Sequence, residues 1–416
     1  MIENDKAGFD VAICGGSFVG LALAKALAAS LPGAFKIAIV EQRPLAAARE
    51  GAFDGRSAAL TSSAKAMLEV IGVWPALADK AEPVRRIELT DSPLESAIRT
   101  PLLGLDASDA PGGEPTSYIV GNADFREALV SSLDGSQDVA FFAPESVEGL
   151  AVAEQRAELR LRSGATLRAK LVVAADGQQS KLRELAGIQA TVWRSGKMGI
   201  VATVGTERPH NGVARQHFLS AGPFAILPMT GNRVSIVWTE EAAVAERLLS
   251  GDPSHLQSEL ERRFGPELGA VTLLSRPQAY PLSMTLAREF VRPRFALAGD
   301  AAHGLHWIAG QGLNHGLKDV AALAETVIDA ARLGLDIGSL TVLKRYERWR
   351  RFDSATSAFT AAALNRLFSN DNIALRMVRS AGLRTFDRIG RLKTIAMKEA
   401  AGLTGDLPKL LMGQPV

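Results

Sequence analysis

A chain of 416 residues, 47% hydrophobic and 22% charged, can bury a large core, and its length suits two domains or one elaborated α/β unit. The formal net charge of +2 argues against a general nucleic-acid binder, but it is uneven: residues 344–398 hold 13 Lys/Arg against 4 Asp/Glu, a local +9 that leaves −7 elsewhere. The single cysteine, Cys14, excludes an intrachain disulfide, a CxxC redox pair and a cysteine-rich zinc site.

The first ten residues are too polar and acidic for a signal peptide, and no run reaches the length of a bilayer span, so a cytoplasmic protein is expected. Phe9–Cys14 reads as a strand running into Gly15-Gly16-Ser17-Phe18-Val19-Gly20, and LALAKALAAS continues at helical spacing. Such a turn brings backbone close to a pyrophosphate and points helix N–H groups at it. The middle glycine of GxGxxG is here Ser17. A second strand, Lys36–Val40, ends at Glu41, the interval at which a carboxylate binds a ribose hydroxyl. Taken alone, these glycines serve either a dinucleotide or a structural turn.

From Glu50 to Trp74 a Gly-rich loop with Arg56 leads into an amphipathic helix, with Ala66, Leu68, Val70 and Ile71 inward. Arg56 pairs with a phosphate or is simply solvated. Residues 83–121 are irregular and rich in Pro and Gly, and a helix follows to Leu133, capped by Asn122 or Asp124, with Arg126 in its first turn. A cation there opposes the helix dipole, which favours a task for it. Val147–Leu150, Glu158–Arg162 and Thr166–Ala169 read as successive strands leading into KLVVAADG, where Asp176-Gly177 ends a further apolar strand before a short helix bearing Ser180 and Arg183.

Residues 192–280 read as strands, then helices from about Glu241 and from Pro253 to Phe264. Val234, Ile236 and Trp238 share one face of a strand set against a cavity or a core, and Trp238 and Phe224 serve as core or as an aromatic clamp. Phe295–Ala298 is a short buried strand stopping at Gly299-Asp300, after which Gly310, Gly312 and Gly316 bracket the start of a long helix near Leu313. The basic helices from Leu340 to Gly402 offer either a solvated face or a surface for anionic lipid or an acidic partner. His303, His306 and His315 lack the acidic ligands of a metal site, so no metal is expected.

Together GGSFVG, DGQQSKLR and GDAAH…GQGLNHG resemble the single-component FAD-dependent aromatic hydroxylases, and the chain is most similar to their UbiH/UbiF/VisC-type ubiquinone-biosynthesis members. The resemblance implies an α/β fold: a glutathione-reductase-type, Rossmann-like FAD domain (1–82, 122–190, 281–335), an interleaved β-sheet substrate domain (83–121, 191–280) and a helical C-terminal region (336–416). It implies FAD held at its pyrophosphate by Gly15, Gly16 and Gly20, with Ser17 in the same loop, and at its adenosine ribose by Glu41. Arg56 and Arg126 would approach the phosphates or ribityl chain, and Asp300 the ribityl hydroxyls. The N–H groups at Gly312, Leu313 and Asn314 would face the flavin's pyrimidine edge, while Asp176, Gly177 and Arg183 match the motif linked to both FAD and NAD(P)H.

The implied reaction is hydroxylation of a polyprenylated phenol on the way to ubiquinone, with NAD(P)H and dioxygen, through a flavin hydroperoxide. Trp307 stands where these enzymes usually carry proline and, with Trp238 and Phe224, is a candidate for the substrate pocket. The expected partners are a hydrophobic phenol and, through the basic C-terminal helices, the inner membrane or a ubiquinone-biosynthesis complex, with no nucleic acid. Hydroxylation of a small soluble aromatic compound, or a flavin-binding scaffold or lipid-presenting protein without turnover, are the alternatives. The WxWxIP pattern of flavin halogenases is absent.

Overall fold

The computed structural model describes residues 8–45, 55–94, 96, 99–305, 311–353 and 390–416. Trp307, His306 and Gly310 lie outside the described residues, as do Arg376, Arg379, Arg384 and Arg388 of the basic C-terminal stretch.

Apolar segments that alternate poorly are buried on both faces, and here they build a parallel core. Strands Phe295–Leu297, Thr166–Ala174, Phe9–Cys14, Ile37–Val40 and Val139–Phe142 lie side by side in that order, each parallel to its neighbour. Ile37–Val40 is buried throughout. Thr166–Ala174 is one strand rather than the two segments that its sequence suggests. Its first half alternates exposed and buried residues where the hairpin of Val147–Val152 and Ala157–Leu161 is its antiparallel neighbour; its last four residues are all buried. Helices Phe18–Ser30 and Gln311–Arg332 pack against this sheet in one hydrophobic core.

A second sheet of nine strands runs from His303–Leu305 through Gln278–Ala287, Ala190–Thr206, Arg233–Glu241, Gly222–Met229, Val213–Leu219 and Arg86–Thr90 to Leu103–Asp106, with Val271–Leu273 beside Ala190–Thr206. Helices Ala242–Ser250 and Pro253–Phe264 cover one face of it, over a separate core containing Ile200, Ile236 and Leu260. Asp252 caps the second helix by accepting from Ser254 N, and Pro253 occupies its first turn.

The domain boundaries shift in three places, the first being Gln278–Ala287, which the sequence divides at residue 281 and which lies wholly in the second sheet. Ser117–Gly121, which the sequence groups with the substrate domain, pairs with Ser57–Thr61 in a small third sheet. His303–Leu305, which follows the Gly299-Asp300 motif directly, joins the edge of the second sheet. The C-terminal region contributes a helix over residues 340–353 and the helix Gly390–Ala400, whose Met397 is buried against Leu103 and Leu105.

Candidate cofactor and substrate site

Four motif positions far apart in sequence share one edge of the parallel sheet, because each follows the carboxyl end of a strand. Across the sheet they run Asp300, Asp176, Gly15, Glu41, after strands ending at Leu297, Ala174, Cys14 and Val40. Open α/β sheets bind ligands there.

A cleft of about 410 Å³ opens at this edge, lined by Gly15, Gly16, Ser17, Glu41, Arg56, Arg126, Asp176 and Gly177 among others. Its floor requires glycine. Gly15 has φ +117°, and a Cβ there would stand 2.2 Å from the Ala175 carbonyl oxygen. A Cβ on Gly20 would meet the Gly15 carbonyl oxygen at 1.9 Å, so the third glycine lets the helix start press onto the turn. Ser17 is the helix N-cap and makes no side-chain capping bond, leaving its hydroxyl exposed beside the first-turn N–H groups. Glu41 Oε2 accepts from Gly16 N at 2.6 Å and Oε1 from Arg43 N at 2.9 Å, which fixes the carboxylate at the cleft wall. The glycine floor, the helix N-terminus, the two arginines and the fixed carboxylate fit the adenosine and pyrophosphate half of FAD.

Arg126 lies with its guanidinium carbon 5.7 Å from the Phe18 ring centre, and Phe18 stacks on Phe125 at 5.0 Å. The helix Asn122–Ser131 has Gly121 as N-cap, so neither Asn122 nor Asp124 fills that position. Arg56 stands 5.5 Å over the ring of Tyr280, a residue of the second sheet, and so lies where the two sheets meet.

Asp176 and Arg183 divide their tasks. Burial raises the Asp176 carboxyl above the usual range; the carboxylate accepts from Ser180 Oγ at 2.5 Å and from Leu182 N at 3.1 Å. Arg183 is buried away from the cleft lining and donates to the carbonyls of Ala301 at 2.9 Å and Gln178 at 3.1 Å. It ties the DG motif to the GD motif as a strut. Glu145, Ser146 and Lys181 line the cleft and were missed in the sequence: no motif marks Glu145 or Ser146, and Lys181 stands inside DGQQSKLR without having been singled out.

The helix described over Gln311–Arg332 includes the start expected near Leu313. The side chain of Asn314 docks it on the strand Ser57–Thr61, accepting from Thr61 N at 3.0 Å and donating to the Ala59 carbonyl at 2.7 Å. The backbone N–H groups of Gly312, Leu313 and Asn314 lie in the first described turn of this helix.

Trp238 and Phe224 are not pocket walls. They are 1% and 0% exposed, on the helix-covered face, where Phe224 meets Trp238 at 6.1 Å and Phe264 at 5.7 Å edge to face. Arg263 sits 4.0 Å over the indole, whose N–H donates to Glu240. Pairing register puts the neighbours of these residues on the opposite face. One row across the sheet reads Gln278, Val201, Val237, Ala225, Gln216, Leu89. Except for buried Ala225, all are half-buried. On the same face Thr203 Oγ1 donates to the Gly55 carbonyl at 3.2 Å, so the band is turned toward the loop that carries Arg56. Leu89 packs in the cluster closed by Met397.

Sheet, glycine cradle and apolar band together define a two-lobed flavoprotein, and comparison with known proteins agrees. The family described as FAD binding domain matches residues 8–353, and the chain belongs to it. Within that family it belongs with the ubiquinone-biosynthesis hydroxylases. It is 40% identical to the ubiquinone hydroxylase UbiL of Rhodospirillum rubrum over 410 residues, covering 98% of this chain and 93% of the relative. It is 33% identical to the 3-demethoxyubiquinol 3-hydroxylase of Escherichia coli, covering 95% and 98%. The fold matches the crystal structure of p-nitrophenol 4-monooxygenase PnpA from Pseudomonas putida, with TM-score 0.77, 19% identity and coverage of 95% and 98%.

Proposed function

We propose that the protein is an FAD-dependent monooxygenase that hydroxylates the aromatic ring of a polyprenylated phenol in ubiquinone biosynthesis, with NAD(P)H as electron donor and dioxygen as co-substrate. The observation that supports this most is the apolar band Val201–Val237–Ala225, with Gln216 and Gln278 toward its ends, facing the loop of the arginine that lines the FAD cleft. Bound FAD, once reduced by NAD(P)H, supplies the activation of dioxygen that no side chain can provide.

The chain's own residues bind, orient and exclude water. Gly15, Gly16 and Gly20 seat the pyrophosphate, Glu41 holds the ribose, and Asp300 meets the ribityl chain. The first-turn amides of Gly312, Leu313 and Asn314 favour negative charge developing beside them. Val201 and Val237 remove water from a phenol ring, and the amide of Gln216 or Gln278 holds its hydroxyl. Trp307 belongs to the proposed pocket on sequence grounds.

Peripheral contact with an anionic membrane is part of the reading. Phe352 is 79% exposed between Arg351 and Asp353, on the helix that also carries Arg348, and Ile395 is 60% exposed between Lys393 and Lys398. No described helix is long and apolar enough to cross a membrane. Flotation with phosphatidylglycerol vesicles tests this contact, with neutral vesicles as the control.

The decisive assay records the visible spectrum of the purified protein and follows NAD(P)H oxidation with and without a short-chain prenylphenol. Substrate-stimulated oxidation with a product gaining one oxygen supports the reading. Stimulation only by small soluble phenols, or bound FAD that no phenol helps to reduce, overturns it.

A further inference from the structure

Behind the Gly299-Asp300 turn lies a buried ionic network that no sequence motif announces. Asp319, on the helix Gln311–Arg332, is 0% exposed and accepts three hydrogen bonds. Oδ2 receives Gly299 N at 2.8 Å and His303 Nε2 at 2.6 Å, and Oδ1 receives Arg350 Nε at 2.7 Å. Arg350 comes from the helix over residues 340–353, outside both sheets, and is itself 3% exposed. Its remaining nitrogens donate to Asp353 Oδ2 at 2.5 Å and to the His315 carbonyl at 3.5 Å.

Burial works against ionisation of Asp319, yet His303 and then Arg350 outweigh it and hold the carboxyl at about 2. A buried carboxylate stays charged only with such partners, and loss of one leaves the other uncompensated. The same helix also reaches the strand Phe295–Leu297 through Tyr346, whose hydroxyl donates to the Leu297 carbonyl at 2.7 Å, and the segment before that strand through Glu347, which accepts from Phe290 N at 2.8 Å. Those two contacts hold the strand and the segment leading into it. Among the described contacts of this helix, the Arg350–Asp319 link is the one that reaches the turn, through Gly299 N immediately before Asp300.

We propose that Arg350 is a positioning residue for the flavin: by fixing Asp319 against Gly299 N, the C-terminal helix sets the orientation of Asp300 and of the helix start at Gly312–Asn314, and with them FAD affinity and reduction potential. The inference rests on the FAD reading of the site. Asp319 bridges the two elements that meet the ribityl chain and the flavin's pyrimidine edge, since it belongs to one and holds the backbone of the other. Misplacing either weakens binding and withdraws N–H dipoles from the reduced, negatively charged ring.

The test compares Arg350→Met and Arg350→Lys in the full chain with Arg294→Met. Arg294, itself buried, pairs with the exposed Asp336, close to the same strand but away from the turn. FAD affinity is read by fluorescence titration of the apoprotein, potential by equilibration with a reference dye, and folding by thermal melting. Arg350→Met is expected to weaken FAD binding about tenfold, the loss of one hydrogen bond to a charged group, and to make the potential more negative. Arg350→Lys restores most of both. Arg294→Met lowers the melting temperature with FAD affinity and potential unchanged. Equal weakening by Arg350→Met and Arg294→Met, or an Arg350→Met protein that melts early but binds FAD normally, overturns the inference alone. A wild-type protein that binds no FAD overturns the cofactor reading and this inference with it.

Discussion

A Cβ placed on Gly316 would stand 2.6 Å from Cγ2 of Val19. Val19 belongs to the first glycine motif and Gly316 to the last, so this contact joins the proposed pyrophosphate end of the site to its proposed flavin end. Val19 also lies where a Cβ on Gly299 would be, at 2.9 Å.

Gly316→Ala therefore sets two effects against each other. Alanine in a helix interior gains about 1 kcal/mol over glycine, while overpacking a tight contact costs about 1–3 kcal/mol. The expected outcome is a net loss of stability of up to ~2 kcal/mol, read as a lower urea midpoint at unchanged slope. Val19→Ala added to Gly316→Ala makes room for the methyl and should recover most of it. A double variant less stable than Gly316→Ala would show that the contact is not the cause.

Glu41→Gln tests the ribose end. The carboxylate accepts from Gly16 N and Arg43 N with its two oxygens, and an amide can satisfy only one of them. The change should weaken FAD about tenfold, the size of one hydrogen bond to a charged group, with little change in melting of the apoprotein. Unaltered affinity would remove Glu41 from the cofactor site.

Acid should destabilise the protein through His217. It is 5% exposed, and burial, then Arg99 and Arg215, pull its pKa from 6.5 to about 4. The folded chain thus keeps this imidazole neutral over a range where the unfolded chain protonates it. The contribution is complete above pH 6.5, falls as pH drops from 6.5 to about 4, and levels off below, a total on the order of 3 kcal/mol. His315, lowered to about 3 by burial, His303 and Arg350, adds loss in the same direction. His217→Gln should flatten the dependence of the urea midpoint on pH between 6.5 and 4.5; an unchanged slope would assign the acid sensitivity elsewhere.

What the sequence disclosed follows the range of the interactions. Gly15 to Gly20 and Glu41 were legible because a glycine turn and a strand end are local patterns. The helix Pro253–Phe264 was legible from its own cap, proline and following Gly265. Alternation in Arg233–Glu241 announced two faces, but which face is covered depends on how the helices Ala242–Ser250 and Pro253–Phe264 fold back on it. Trp238 therefore read as core before clamp, with the clamp left open as a candidate. Asp319 and Arg350 stand 31 residues apart on two helices, and only packing shows that a charge in one needs a charge in the other.

Val237 and Trp238 are neighbours in sequence that belong to different tasks, and substituting them separately distinguishes the substrate face from the core. Trp238→Ala removes a fully buried indole between Phe224 and Arg263, a change costing about 3–5 kcal/mol in comparable cores, so the second sheet should melt early whether or not a phenol is present. Val237→Phe adds bulk on the opposite, half-buried face, beside Val201 and Ala225. There the extra ring fills the space proposed for the substrate and disturbs little of the core. The variant should keep wild-type melting and FAD affinity, while the KM for a prenylphenol in stimulated NAD(P)H oxidation rises about tenfold or more, equivalent to ~1.4 kcal/mol of lost binding. The unstimulated oxidation rate, which does not use this face, should stay as it was. Unchanged KM in Val237→Phe would move the phenol off the band altogether.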